Sequence, residues 1–171
     1  MTATAERHMI RIDRKPQLFS FRVAGLIFHE GHVLVQQIPG EDYWAMPGGR
    51  AEIGETSART IVREMQEELG CEVEVKRLLW TVENFYADGD YRYHELGFYY
   101  LLTLSEDFPF HPQDIVHTVV DGPTTVQFRW LPATQAAFEE ARVFPLLLRE
   151  RIENLPASHE HVVSIEEGYA P

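Results

Sequence analysis

Residues 48–71 read GGRAEIGETSARTIVREMQEELGC, and no other stretch restricts the fold as strongly. A glycine pair after Pro47 opens it and Gly70 closes it. Between them Ala58, Ile61, Val62, Met65 and Leu69 recur at helical spacing, which predicts an amphipathic helix over Ser57–Leu69. Thr56 or Ser57 suits its N-cap and Gly70 its C-terminal stop. Glu64, Glu67 and Glu68 are three and four residues apart, so they share a second face that borders the apolar stripe.

Three carboxylates on a partly sheltered face repel one another by about 3 kcal/mol per pair at ~6 Å and an effective dielectric of ~20. A fully solvated helix would lose only a few tenths per pair. Cations among the carboxylates resolve the conflict, and hard oxygen ligands select Mg²⁺, Mn²⁺ or Ca²⁺ over softer metals. The glycines before the helix let a backbone carbonyl approach the same ion. Arg63 and Glu55 are the charges left over, and a pair between them would tie the loop to the helix. Taken alone, three glutamates more often form a solvated acidic face than a metal site.

The flanks change that balance. From Gly49 the pattern is G-x5-E-x7-R-E-U-x-E-E-x-G-U, with U apolar: Gly49, Glu55, Arg63, Glu64, Met65, Glu67, Glu68, Gly70 and Cys71. It resembles the signature box of the Nudix hydrolases at every defined position. The approach W-x-x-P-G-G (Trp44 to Gly49) and the strand-then-helix ending from FRWLP onward are similar to the same family.

Composition sets wider bounds. The 171 residues fit one domain with a sizeable core, and 44% apolar with 25% charged residues is ordinary for a globular chain. No run of about 18 apolar residues suggests a membrane span, and MTATAERHMIRIDRK lacks the apolar core of a secretory signal. A single cysteine excludes an internal disulfide, so the expected location is cytoplasmic. The net charge of −12 argues against nucleic acid as partner and requires divalent metal if an anionic substrate is to be accepted.

The coarse order predicts an α+β chain. Residues 1–18 form an arm or edge strand, 19–155 the domain, and 156–171 a polar tail with a short strand at His161–Ile165. Phe19–Ile27 and His32–Gln37 read as a hairpin, Tyr43–Met46 as a short strand, and Glu72–Phe85 with Tyr91–Leu104 as a long hairpin about Asp88-Gly89. Ser105–Pro123, with its prolines, aspartates and histidines, reads as one long loop, a candidate lid and source of a further carboxylate. Thr125–Leu131 is a strand, and Ala133–Arg142 and Pro145–Asn154 are helices. Trp44 fits the core better than a site wall. Exposed roles suit His29, His32, Glu83 and the His159-Glu160-His161 run better than metal ligation.

The resemblance implies the Nudix fold, a mixed β-sheet sandwiched between α-helices, and hydrolysis of a nucleoside diphosphate linked to another group by water attack at phosphorus. It assigns Glu64, Glu67, Glu68 and the Gly49 carbonyl as ligands of Mg²⁺ or Mn²⁺, and Arg63 with Glu55 as an orienting pair. The general base is then Glu64, or a carboxylate from outside the helix: Glu95, Asp107, Asp114 or Asp121. Arg22, Arg92 and Arg129 are candidates for phosphate contact and Phe85 or Tyr86 for base stacking, each equally explained as sheet surface or core. The expected partner is a small nucleotide, and a homodimer is compatible with the sequence. The run S-Q-P-W-P-F-P is absent, as is a proline some 16 residues after the box, which leans the expectation toward a free nucleoside di- or triphosphate over nucleotide sugars or dinucleoside polyphosphates. A complete box counts against a non-catalytic sensing module, and the lack of a cysteine ahead of it counts against the isoprenoid isomerases of this fold.

Overall fold

The computed structural model describes residues 7–170. The predicted helix forms over the expected span, α1 (Ser57–Leu69). Thr56 Oγ1 accepts from the Arg59 amide, and Gly70 takes the left-handed conformation that ends the helix. One detail of its stripe differs. Thr60, Ile61, Met65 and Leu69 are the buried positions, while Val62 is 40% exposed. Thr60 goes inside because its hydroxyl is satisfied, donating to Glu55 Oε2 at 2.8 Å.

The strands are β1 (Arg11–Arg14), β2 (Gln17–His29), β3 (His32–Gln37), β4 (Trp44–Ala45), β5 (Gly48–Arg50), β6 (Val73–Asp88), β7 (Tyr91–Leu104), β8 (Ile115–Asp121), β9 (Thr124–Pro132), β10 (Val143–Phe144) and β11 (Glu160–Ile165). They form a mixed sheet whose main path runs β10-β4-β3-β2-β7-β6-β11. β2 runs parallel to β7 over eleven paired positions, from Gln17↔Arg92 to Ile27↔Leu102. β6 and β7 form the predicted antiparallel hairpin, and β11 adds in parallel beside β6.

Both faces of the sheet are buried, which is why its central strands read as nearly continuous apolar runs. Val23, Ile27, Leu34, Phe128 and Trp130 pack with Ile61, Met65 and Leu69 of α1. On the other face Leu26, Val33, Val35, Trp80 and Val82 pack with Phe138 of α2 (Gln135–Glu140) and Leu147 and Leu148 of α3 (Leu147–Arg151). The mixed sheet sandwiched between helices is therefore the fold. α2 and α3 are shorter than predicted: Thr134 caps α2, residues 141–142 turn the chain into β10, and residues 152–153 form a turn after α3.

The predicted long loop is half strand. Ile115–Asp121 pairs antiparallel with β9 through a turn at Gly122. Ile115, Val116, Thr118, Val119 and Val120, followed by Asp121-Gly122, carry an ordinary strand-and-turn signal that the prolines obscured. What remains of the loop is pinned down. Phe108 and Phe110 pack on Trp130, whose Nε1–H donates to the Pro109 carbonyl at 2.8 Å.

The decisive event for the site is a divergence. β2 and β3 pair only near their turn, at Phe28↔Val33 and His29↔His32. Beyond it β2 pairs with β5 and β3 with β4 on the parted edges, while β9 pairs β3 along its whole length on the other edge. The wedge so opened takes the segment Met46–Gly49 and leaves a cavity beside it.

Candidate functional site

The box closes on itself through Arg63. Its Nε donates to Glu55 Oε1 at 2.9 Å and its Nη2 to Glu55 Oε2 at 2.9 Å, while Nη1 donates to Glu64 Oε1 at 2.6 Å and Glu67 Oε2 at 3.2 Å. Arg63 hydrogen bonding holds the Glu55 carboxyl down at about 2. Burial pushes the Glu64 carboxyl up, and Arg63 opposes the shift. Arg63 in turn is raised above its ordinary value, chiefly by its bond to Glu55.

The glycine pair meets the carboxylates at close range. The Gly48 amide donates to Glu68 Oε2 at 3.2 Å. A Cβ on Gly49 would lie 2.3 Å from the Glu64 carboxyl carbon, so only glycine leaves room for that carboxylate. Gly48 itself has φ +149°, and a Cβ there would lie 2.1 Å from the Val23 carbonyl oxygen. The sheet therefore places the pair against β2 on one side and α1 on the other.

These donors are all oxygen, and the space opposite Gly49 lets Glu64 come close to the loop backbone, so the set fits a hard divalent cation. Among the described residues no three acidic, histidine or cysteine side chains converge on one ion position. Instead Arg63 Nη1 lies between Glu64 and Glu67, and Arg7 also binds Glu67 at 3.0 Å. The two guanidinium groups hold the negative charge that a metal would otherwise share.

A cavity of about 490 Å³ opens in the wedge on the α2–α3 side of the sheet. Arg22 joins it to the box. Its Nη2 donates to the Met46 carbonyl at 3.0 Å. Burial works against its charge, and Glu95, Tyr99 and Glu68 outweigh that cost. Glu95 also lines the cavity, its carboxyl pushed up by burial and pulled back by Arg22 and Arg50. Tyr43 and Tyr86 form part of the wall, the Tyr43 phenol being pushed up to about 12 by burial.

The other sequence candidates divide along the sheet. Arg22 and Tyr86 line the cavity, but Phe85 and Arg92 do not. Successive residues of a strand face opposite ways. Phe85 stacks on His94 with centroids 4.4 Å apart, and Arg92 and His94 border a separate, smaller hollow. Of the base candidates, Glu64 abuts Gly49 and Glu95 faces the cavity. Asp107 and Asp114 are exposed on the pinned loop, Asp114 beside His111 at 3.1 Å, and the Asp121 side chain lies outside the described residues. Glu83 pairs with His161 at 2.8 Å, and Glu160 bonds Arg151 at 2.6 Å, consistent with surface roles. Arg129 lies over the buried Trp44 ring, 4.5 Å from its centroid.

The sequence profile of the NUDIX domain matches residues 19–150, which includes the whole box and both strands that carry Arg22 and Glu95. The chain belongs to the NUDIX domain family. A MutT-like protein of Streptomyces ambofaciens is 37% identical over 70 residues, 40% of this chain and 46% of that protein. An 8-oxo-dGTP diphosphatase of Proteus vulgaris is 41% identical over 46 residues, 27% of this chain and 41% of that protein. The chain spans 30% to 57% of the length of the curated relatives it matches. An ADP-ribose pyrophosphatase from Streptococcus suis superposes with a TM-score of 0.54 at 18% identity, covering 85% of this chain and 98% of that one, a likeness of Nudix fold.

Sequence reasoning missed Arg50, Asn84, Tyr99 and Glu52. Arg50 faces Arg22 across β2 and β5, and Glu52 joins the Arg63 cluster at 3.7 Å. Asn84 is 5% exposed in the cavity wall. Arg50 and Glu52 sit in the box loop itself, whereas pairing register brings Asn84 and Tyr99 to the site. Among the described residues no helix is long and apolar enough to cross a membrane.

Proposed function

We propose that the chain is a divalent-metal-dependent hydrolase that cleaves the pyrophosphate linkage of a nucleoside di- or triphosphate. The carrying observation is Arg22, which lines the cavity and donates to the Met46 carbonyl at the entrance to the box, so one half-buried cation joins the two halves of the site. A cavity of about 490 Å³ falls within the ~300–1,000 Å³ range of small-molecule sites.

Glu64, Glu67, Glu68 and the Gly49 carbonyl would hold Mg²⁺ or Mn²⁺, which supplies Lewis-acid neutralisation of phosphate oxygens and activation of water. Arg22 orients the phosphate chain at the cavity mouth. Glu64, held against Gly49, takes the proton from the attacking water. Arg63 and Glu55 keep the helix carboxylates aimed at the loop.

A second reading, hydrolysis of a nucleoside-diphosphate-linked compound such as a nucleotide sugar or dinucleoside polyphosphate, draws on the acceptor-rich wall of Glu41, Glu95 and Glu166. A substrate panel with Mg²⁺ and Mn²⁺, its products resolved by chromatography, separates the two. Release of nucleoside monophosphate from di- or triphosphates supports the first. Tight nucleotide binding with no cleavage anywhere in the panel would point to a sensing module and refute both.

A further inference from the structure

The cavity contains a polar side chain that the protein leaves unanswered. Asn84 is 5% exposed, it lines the cavity, and its Oδ1 has no hydrogen-bond partner in the protein. A buried amide without a partner costs about 1–3 kcal/mol, so its presence needs a reason. Gln36, on the opposite wall, has a buried Oε1 in the same condition. The two amides line one space from β6 and β3.

Asn84 stands directly opposite Glu95 in the β6–β7 register, and both line the cavity. Side chains so paired have Cβ atoms about 4.5–5.5 Å apart. The wall thus presents an amide, which can donate and accept, next to a carboxylate, which accepts. Around them Tyr43, Tyr86, Tyr99 and Phe144 supply flat apolar surface. Aromatic walls suit a planar ring. A metal on the box would hold the phosphates at the Gly49 side, and Arg22, which lies between Glu95 and the box, would meet the chain there, so the Asn84 side of the cavity is left for the ring.

The polar pair matches one base edge better than the others. A 2-amino-6-oxopurine offers, side by side, an acceptor at O6 and donors at N1 and the 2-amino group. The Asn84 amide can donate to O6 and accept from N1–H while the Glu95 carboxylate accepts from the 2-amino group. Adenine presents one donor on that edge, so it can answer the amide oxygen or the carboxylate and leaves the other unmatched. Uracil offers a single N–H.

We infer that Asn84, opposite Glu95, is the residue that selects the base, and that the cavity takes a guanine-type purine. This rests on the nucleotide hydrolase reading given above. A site built to hydrogen-bond a substrate discriminates strongly against analogues that leave its groups unpaired.

The test compares the triphosphates of guanosine, inosine, adenosine and uridine with Mg²⁺, using wild type, Asn84→Ala, Asn84→Asp and Glu95→Gln. Wild type should favour guanosine over adenosine at least tenfold in kcat/KM. Asn84→Ala should raise KM for guanosine triphosphate at least tenfold, leave kcat within about threefold, and leave KM for adenosine triphosphate within about threefold. Glu95→Gln, which exchanges a charged acceptor for a neutral one, should reduce the preference for guanosine over inosine, which lacks the 2-amino group. Asn84→Asp keeps the size of the side chain and should lower the guanosine-to-adenosine ratio at least tenfold, so it reports even if Asn84→Ala fails to fold. Equal kcat/KM for the four bases in wild type, or the same proportional loss for every base in the Asn84 variants, overturns the assignment. If wild type cleaves none of the four, the triphosphate part of the hydrolase reading fails by itself and the base assignment is still open to test. Calorimetric binding of the four nucleoside diphosphates then decides the base assignment: guanosine diphosphate at least tenfold tighter than adenosine diphosphate upholds it, and equal affinities overturn it.

Discussion

Arg63 and Glu55, eight residues apart, form a two-pronged ion pair with both N···O distances at 2.9 Å and side chains only 20% and 17% exposed. The same guanidinium reaches Glu64 and Glu67. A planar fork with this many partners cannot be replaced by a lysine, which offers one point of charge. Arg63→Lys should therefore lower kcat at least a hundredfold with KM within about threefold, measured by initial rates at saturating Mg²⁺. Arg63→Ala should in addition destabilise the fold by about 2–3 kcal/mol, because it leaves the half-buried Glu55 without its counter-charge, with the Thr60 hydroxyl as a remaining donor. Unchanged turnover in Arg63→Lys would refute the positioning role.

The same pair sets an acid limit. Glu55 titrates near 4.5 when free and at about 2 in the fold. A depressed folded value stabilises the protein above the free value, and the stabilisation is lost as pH falls through the folded one. Urea denaturation of wild type and Glu55→Gln should show a stability gap that is full above pH ~5 and shrinks steadily from there toward pH 2. A gap independent of pH in that window would contradict the assignment.

Glu68→Gln preserves an acceptor for the Gly48 amide and removes the charge. Turnover should fall at least a thousandfold while the thermal midpoint stays within about 3 °C of wild type. Full activity in this variant would sink the metal-ligand role.

The two glycines should respond differently to the same substitution. Gly48→Ala meets backbone, the Val23 carbonyl at 2.1 Å, at a φ of +149°, and should destabilise the fold by about 2 kcal/mol or more. Gly49→Ala meets only the Glu64 side chain, which can swing away. It should cost less than about 1 kcal/mol of stability and most of the activity. Thermal denaturation with parallel rate measurements distinguishes them.

Phe110 packs against Trp130, His29 and His32, holding the 105–114 segment to the α1 side of the sheet. Phe110→Ala should lower stability by about 1–2 kcal/mol and speed proteolytic cutting within 105–114. Cutting at the wild-type rate would show that the segment is held by other contacts.

Local rules determined much of this protein. Helical spacing, a capping threonine and a terminal glycine define α1 to the residue, and the triad of glutamates follows from three- and four-residue steps along it. The two hairpins were legible because turn residues separate strongly β-forming runs. Other features depended on partners far away in the chain. β8 is a strand because β9 offers it an edge, although its surroundings are rich in prolines. Phe85 and Tyr86 were equivalent on paper, and the pleat sent one to His94 and the other to the cavity. Asn84 and Glu95 face each other only because the β6–β7 turn fixes that register, and Arg22 reaches the box only because β2 parts from β3. Short-range periodicity is written in neighbouring residues, whereas register and strand divergence come from burying both faces of one sheet at once, a condition that no single segment satisfies alone.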